Sequence, residues 1–418
     1  MKFSLLPVAA AVTLAATAQA DTTALPEVVV TATRGAELAT TLPNVSVITR
    51  DEIETRQPSS LADLLALEAG IHVTANGGPL TATGIFMRSA AGKQVLVLVD
   101  GVRVNDANQG AFDFSLVRPD DIERIEIVRG PYSSQYGSDA IGGVIQIFTR
   151  KSEKAEFSAR LGRNGTQEYN AGARLGSQAN GISLRAGYLD TDGFSATTPD
   201  SVFSYDPDDD GGLARTVQLS GNASPTDNLA LEFSSSWKDS RTEYDIGFTE
   251  QDHGTAGASA TLKTTDSWSQ TLQLGWLRNR LDSDGRTDPF AYFSRFFTER
   301  QSVSWLHNIA FNDHLTLVAG IDHSSEDAES VDLLTKLTAF EKRTHNTGIF
   351  ATQHAQYGIY SGSLSLRQDK HDSFGEHTSG STTVAAQVTP AIKLYGAYGS
   401  AFRAPSANDL YYPGFFGM

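Results

Sequence analysis

Acidic side chains are concentrated in two stretches of the sequence, 190–210 and 244–252, and this density of carboxylates favours a hard divalent cation. Calcium takes six to eight oxygen ligands, several of them carboxylates. The alternative is a solvated charge cluster, because a run of acids is often only an exposed surface. The predicted ligands of a calcium site are Asp190, Asp192, Asp206, Asp208, Asp210, Tyr244, Asp245 and Asp252.

Two further segments, 74–84 and 105–116, combine glycines with short polar side chains. An amide offers both hydrogen-bond donors and an acceptor, so such loops suit a polar ligand. The alternative for any one of these residues is a solvated loop. The predicted ligand-binding residues are Asn76, Gly77, Gly78, Asn105, Asn108, Gln109 and Asp113.

Composition and spacing do not indicate catalysis. The nine histidines show no paired metal spacing, there is no Gly-x-Ser-x-Gly motif, and the absence of cysteine excludes a thiolate centre or a disulfide scaffold. The glycines at 137, 142 and 143 precede a strand and lack a following Lys-Ser/Thr, so we expect no nucleotide site, and we expect no haem. A net charge of −16 excludes a general nucleic-acid binder.

The first twenty residues predict a secretory signal peptide. Lys2 provides the positive charge, residues 5–18 are apolar, and Ala18-Gln19-Ala20 fits a small-x-small cleavage site before Asp21. No apolar run of about 18 residues follows, so no membrane-spanning helix is expected. Barrel strands carry a much weaker signal, and a membrane location therefore stays open.

The elements that must hold the candidate sites change character near residue 150. Residues 41–150 predict a small α+β domain, with a capping box from Thr49 to Glu52 and a helix over 61–68 that stops at Gly70. Strands are predicted at 84–88, 95–99, 124–128 and 143–149. The strand at 95–99 is continuously apolar, which predicts burial on both faces.

Residues 151–418 alternate apolar and polar residues with a period of two. We count about 13 such segments, each near ten residues, which is the length that crosses a bilayer at a tilt. Short turns alternate with long polar loops predicted at 190–212, 239–252, 281–299, 323–343 and 369–379. This alternation favours an antiparallel transmembrane β-barrel over the alternative, a soluble β-sandwich.

Four motifs resemble those of the TonB-dependent outer-membrane receptors. Residues 98–103 (LVDGVR), 124–131 (RIEIVRGP) and 136–145 (YGSDAIGGVI) are similar to the signatures of the plug domain, and 400–405 (SAFRAP) is similar to a barrel motif. Near the N-terminus a β-branched run resembles a Ton box, which suits addition as an edge strand to a partner sheet. The Ton-box residues are Glu27, Val28, Val29, Val30, Thr31 and Ala32.

The resemblance implies an α+β plug domain inside an antiparallel barrel in the bacterial outer membrane. It divides the chain into a signal peptide (1–20), a Ton-box segment (21–40), a plug (41–150) and barrel strands (151–418). It also implies energy coupling to TonB of the inner membrane. Asn76 to Gly78 and residues 95–143 look most like cobalamin-transporting members, in which the equivalent loops meet the corrin and the acidic loops bind calcium.

The expected function is therefore uptake of cobalamin, with a ferric-siderophore receptor as the alternative in the same class. The family closes 22 strands, whereas about 13 are predicted here, and no terminal amphipathic strand ending in an aromatic residue is visible. This favours a truncated product, and a passive or non-functional remnant is a further alternative. An outer-membrane enzyme would need an outward-facing nucleophile or acid–base pair, which the sequence does not indicate.

Overall fold

The computed structural model describes residues 44–200, 206–286, 291–389 and 392–412. Its first part is a small α+β unit, the plug, built on a five-stranded sheet and a three-stranded sheet. The helices of the described chain are α1 (Arg50–Arg56), α2 (Leu61–Ala66), α3 (Ser133–Tyr136) and α4 (Ala407–Tyr411). The plug strands are β1 (Val45–Ile48), β2 (Ile71–Ala75), β3 (Thr83–Met87), β4 (Ala90–Ala91), β5 (Val95–Val99), β6 (Val102–Arg103), β7 (Ile122–Arg129) and β8 (Gly143–Thr149).

The larger plug sheet has the strand order β1-β7-β8-β5-β6, and β5 runs parallel to β8. All five residues of β5 are buried, which confirms the prediction from its continuous apolar run. Neighbouring apolar residues of β7 and β8, such as Ile127 and Ile147, complete one core with the helices. This core fixes the strand ends from which the candidate ligand loops emerge.

The first two plug helices, α1 and α2, begin as the sequence predicts. Thr49 and Glu52 form the expected capping box of α1, and Ser60 caps α2 with Asp63. Helix α2 ends at Ala66, two residues before the predicted boundary. Gly70 follows with a φ of +77°, a left-handed conformation that glycine adopts without strain.

The second part is a single antiparallel sheet of 13 strands in sequential order, which confirms the predicted count. It curves around the plug, with β9 and β21 at its two edges. Within the described residues no helix is long and apolar enough to span a membrane. The strands are β9 (Glu156–Leu161), β10 (Gln167–Gly176), β11 (Gly181–Thr191), β12 (Gly212–Thr226), β13 (Leu229–Tyr244), β14 (Gly247–Thr265), β15 (Trp268–Gly285), β16 (Tyr292–Asn312), β17 (Leu315–Asp332), β18 (Leu337–Tyr357), β19 (Tyr360–His371), β20 (Gly375–Thr389) and β21 (Ile392–Gly399).

The predicted lengths of strands and loops are partly wrong. Strand β16 has 21 residues, about twice the expected length, and the predicted loop at 239–252 is two strands joined through Asp245 and Ile246. The predicted loop at 323–343 is likewise strand as far as Asp332 and again from Leu337. A strand can continue through polar residues when the neighbouring strands complete its backbone hydrogen bonds. The paired strands therefore extend beyond the segments that carry alternating apolar residues.

Residues alternate between the two faces of this sheet. On β15, Leu277 is fully buried against the plug core, whereas Leu272 and Leu274 are about half exposed on the opposite face. Lys238 of β13 and Arg300 of β16 point inward and reach the plug backbone. The sheet therefore presents an apolar outer face and a polar inner face, which is the pattern of a membrane barrel wall.

Candidate ligand site and plug–barrel interface

The first candidate ligand loop, 76–82, is the tip of the hairpin formed by β2 and β3. The Asn76 N–H donates to the Ala82 carbonyl (3.2 Å), and the Thr81 hydroxyl donates to the Gly78 carbonyl (2.7 Å). These bonds close the loop with its own backbone, and the Asn76 side chain is exposed. Its amide is thus free to meet a ligand.

Gly77 and Gly78 allow this loop to approach the long loop between β11 and β12. A methyl group on Gly77 would lie 3.0 Å from the Ala196 methyl, and one on Gly78 would lie 3.4 Å from the Phe194 ring. The loop also has one hydrogen bond to the barrel, from the Thr242 hydroxyl to the Leu80 carbonyl (3.2 Å). Among the described residues, the first loop is therefore attached to the barrel by one hydrogen bond and a few van der Waals contacts.

The second candidate loop, 105–110, is held far more firmly, beginning with Asn105. The Asn105 side chain accepts from the Val97 N–H (2.9 Å) and donates to the carbonyls of Val95 (2.9 Å) and Gly110 (3.1 Å). It is almost fully buried. Because its amide is used inside the plug, Asn105 shapes the loop and offers nothing outward.

Asp106, which the sequence analysis did not single out, joins this loop to the barrel wall. Its Oδ1 accepts from the N–H groups of Asn108 (2.8 Å) and Gln109 (3.0 Å). Its Oδ2 accepts from Asn279 Nδ2 (3.0 Å) on β15 and Thr298 Oγ1 (2.8 Å) on β16. The two bonds from the N–H groups of Asn108 and Gln109 could have been predicted from the sequence, because aspartate commonly binds backbone N–H groups two residues further along the chain.

The remaining candidates of the second segment differ in exposure. Asn108 is fully buried and donates to the Phe297 carbonyl (3.0 Å) and to Thr298 Oγ1 (3.1 Å), whereas Gln109 is exposed. Asp113 accepts from the N–H groups of Thr83 (2.9 Å) and Ser115 (3.0 Å). Burial raises the pKa of the Asp113 carboxyl above its usual value, although these two donors oppose the shift.

Several barrel side chains hold the plug through its backbone, a feature that the sequence did not reveal. Lys238 donates to the Ser115 carbonyl (2.5 Å), and Arg300 donates to the carbonyls of Arg103 (3.2 Å) and Asn105 (2.8 Å). Arg367 of β19 reaches the Gln135 carbonyl (3.4 Å). Buried cations need partners, and plug carbonyls supply some of them here.

One buried ion network links side chains of both parts. Arg118 of the plug binds Asp121 (2.9 Å) and also Glu168 of β10 (3.4 Å), and it donates to Thr216 Oγ1 of β12 (2.8 Å). Arg118 is only 4% exposed. Removing one member of such a set strands a buried charge, so this network fixes the plug against β10–β12.

Part of the predicted calcium set comes together in the loop before β12. Burial raises the pKa of the Asp210 carboxyl, and the nearby carboxylates of Asp245, Asp208 and Glu243 raise it further. Asp245 accepts from the Thr197 hydroxyl (2.5 Å). These carboxylates repel one another, and a bound cation would offset that repulsion.

The remaining predicted calcium ligands have other contacts or positions. Asp252 is paired with Arg280 (3.9 Å), the Tyr244 hydroxyl bonds the Tyr292 hydroxyl (2.5 Å), Asp192 packs against Gly165, and Asp190 is in β11. Asp206 accepts a bond from Ser195 through its backbone carbonyl. Among the described residues, no three His, Asp or Glu side chains are arranged to hold a metal ion. Calcium therefore stays a prediction.

The predicted signal peptide (1–20) and Ton box (27–32) lie outside the described residues. Family profiles cover most of the remaining chain. The profile of the TonB-dependent receptor plug domain matches residues 37–144, and the TonB-dependent-receptor-like β-barrel profile matches residues 132–417. The chain belongs to the TonB-dependent receptor family. This is not an enzyme family.

Curated relatives of this receptor include vitamin B12 transporters named BtuB. The protein from Vibrio vulnificus (strain YJ016) is 30% identical over 408 residues, covering 92% of this chain and 64% of the relative. The one from Photobacterium profundum is 28% identical and covers 94% of this chain and 65% of the relative. The receptor chain thus spans just under two thirds of the length of these relatives.

Solved structures with the same fold include receptors for iron complexes. The ferric enterobactin receptor PfeA in complex with BCV-L6 gives a TM-score of 0.73 at 18% identity, covering 88% of this receptor and 63% of that chain. The siderophore receptor PirA from Acinetobacter baumannii gives 0.71 at 17% identity, covering 87% and 62%. At these identities the likeness shows the fold alone.

Proposed function

We propose that this receptor takes up cobalamin across the bacterial outer membrane with energy from TonB. The observation that supports this most is the exposed amide loop at Asn76 in a chain that is 30% identical to vitamin B12 transporters. Cobalamin is rimmed with amides, and an exposed amide can donate and accept hydrogen bonds with them. Gln109 is the second exposed amide of the predicted set.

Equilibrium binding of cyanocobalamin to the purified receptor tests this proposal. We expect saturable binding that Asn76→Ala weakens about tenfold, since one lost polar contact is worth about 1.4 kcal/mol. Gln178→Ala is the matched control, because it removes an exposed amide at the opposite end of the sheet. Saturable binding of a ferric siderophore with none of cyanocobalamin would contradict the proposal.

Energy coupling is tested separately with a receptor lacking residues 27–32. A β-branched segment can add to a partner sheet through main-chain hydrogen bonds. We expect the shortened receptor to bind cobalamin normally at the cell surface and to lose uptake. Uptake that persists at the parent rate would contradict coupling through this segment.

A ferric-siderophore receptor is the second candidate, and an aromatic group on the inner side of the sheet favours it. The rings of Phe296 and Tyr412 stack with centroids 6.4 Å apart, and Phe340 lies 6.2 Å from Tyr411. Lys342 sits 5.0 Å from the centre of the Tyr411 ring. Aromatic faces beside a cation suit a planar anionic ligand.

Calcium is proposed as a loop-ordering ion around Asp208, Asp210 and Asp245. Isothermal titration with calcium should show binding that Asp210→Asn weakens, because one carboxylate of the group is lost. Asp252→Asn is the control, since Asp252 is already paired with Arg280 outside this group. Equal calcium affinity in the two variants would contradict this placement of the ion.

A further inference from the structure

The segment 400–412, named here the strap, leaves β21 and crosses the plug. Its first half binds the turn around α3. The Asp139 N–H donates to the Phe402 carbonyl (3.1 Å), and the Ala404 N–H donates to the Ser138 hydroxyl (2.7 Å). The strap is therefore seated on the plug through backbone groups before it reaches the candidate ligand loop.

The second half of the strap covers that loop. The Ala407 N–H donates to the Ala107 carbonyl (3.0 Å), and the Asn408 N–H donates to the Asn108 carbonyl (3.0 Å). Ala107 is 4% exposed and Asn108 is fully buried. A residue predicted to bind ligand is thus shut off from solvent by a neighbouring segment of the same chain.

One side chain, Asp409, holds the covering end of the strap. Its carboxylate accepts from Lys93 of the plug (3.2 Å) and from Arg403 of the strap (2.7 Å). Both ion pairs are partly exposed, with 42% of the Lys93 side chain accessible. Exposed pairs contribute little to stability, so this attachment is easily released.

The apolar contacts of the covering end are modest. None of the five residues of α4 is buried. Ala407 and Tyr411 pack against a small cluster formed by Ala107, Ala328 and Phe340. Among the described residues, the covering end of the strap is thus held by two backbone hydrogen bonds, one exposed ion pair with Lys93, and the packing of Ala407, Tyr411 and Tyr412.

We propose that the strap is a movable cover over Asn108, fastened by Asp409, which lifts to let ligand reach the loop. The inference rests on the proposed function, in which Gln109 gives the 105–110 loop a role in ligand binding. Asn108 Oδ1 accepts no hydrogen bond from the described residues. Lifting the strap frees the Asn108 carbonyl, which accepts from the Asn408 N–H.

Cysteine labelling measures the movement of the strap, and it needs no ligand. The chain contains no native cysteine, so a single introduced cysteine is the only site that reacts. In a receptor carrying Ala107→Cys, a maleimide can react only when the strap is lifted. Adding Asp409→Asn should speed the reaction about threefold, the effect of losing the one exposed ion pair, with Lys93, that joins the strap to the plug. Asp327→Asn, which removes an exposed pair with Arg343 elsewhere, should leave the labelling rate unchanged.

A reversible crosslink gives the second measurement. The Ala407 N–H bonds the Ala107 carbonyl (3.0 Å), so cysteines at these two positions test whether the strap must leave the loop before ligand binds. The pair Ala107→Cys and Ala407→Cys, when oxidised, should bind cyanocobalamin at least about tenfold more weakly than when reduced. The same pair reduced, and each single variant, serve as controls.

The results separate the two proposals. Equal labelling rates with and without Asp409→Asn, or equal cobalamin affinity of the oxidised and reduced pair, would overturn the strap as a cover. If no form of the receptor binds cobalamin, the proposed ligand is wrong, while the labelling rates still decide whether the strap opens.

Discussion

The two candidate ligand loops of the plug both carry asparagine and glycine, but the asparagine side chains have opposite surroundings. In the loop at 76–82 the Asn76 amide is exposed, and one hydrogen bond reaches the barrel, from Thr242. In the loop at 105–110, Asn105 and Asn108 are buried and bonded to protein groups. Amide content alone therefore does not distinguish a surface that recognises a ligand from a loop that is fixed in place. What differs between the two loops is how many protein groups bond the asparagine side chains.

The largest effect is expected from breaking the fixed loop at Asp106. Asp106→Ala leaves two loop N–H groups, Asn279 and Thr298 without their acceptor. We expect the free energy of local opening to fall by about 3 kcal/mol, since each stranded buried donor costs about 1–3 kcal/mol. Hydrogen exchange of residues 105–110 measures this. Protection equal to that of the parent would contradict the assigned role of Asp106.

A matched pair of threonine variants compares the two loops directly. Thr298→Val removes the hydroxyl that serves Asp106, Ala107 and Asn108, and it should lower the opening free energy by about 1.5 kcal/mol. Thr242→Val removes the single bond to the first loop and should cost about 0.5 kcal/mol. Hydrogen exchange at both loops is the measurement, and a larger effect for Thr242→Val would reverse the comparison.

The pH dependence of stability sharpens the comparison further, through Asp113. Burial raises its pKa above the usual value of 3.8, so the folded state binds a proton more readily than the unfolded chain. Between pH 3.8 and the raised pKa, the free energy of unfolding should therefore decrease as pH rises. Asp113→Asn keeps an acceptor for the Thr83 N–H and should remove this part of the slope. Thermal unfolding across pH, parent against variant, measures the difference.

The smallest effect on stability is expected at Asn76. Its side chain is exposed, so Asn76→Ala should change the unfolding free energy by less than about 0.5 kcal/mol. The same substitution is the one expected to weaken cobalamin binding. A loss of stability equal to that of Asp106→Ala would show that the first loop is also a structural support.

Local patterns in the sequence were enough for the architecture. The capping box at Thr49, the bounds of β5 and the count of 13 barrel strands all follow from short-range rules, and the structure confirms them. Strand ends above the apolar belt were not predictable in the same way. Tyr244 and Gly247 lie in polar sequence, and they are strand because a neighbour completes their hydrogen bonds.

The candidate sites were less predictable, because their decisive contacts are distant in sequence. Asp106 meets Asn279 and Thr298 across 173 and 192 residues. No periodicity or motif marks such a contact. Glycines and short polar residues located both loops, but they could not tell that Asn105 and Asn108 turn inward while Asn76 turns outward.

The attachment of the plug through its main chain bears on how such a receptor can change over evolutionary time. Lys238, Arg300 and Arg367 grip carbonyl oxygens, which every residue possesses whatever its side chain. Substitutions at Ser115 or Gln135 therefore leave these attachments intact. The same wall can therefore seat plugs that differ in their side chains at these positions.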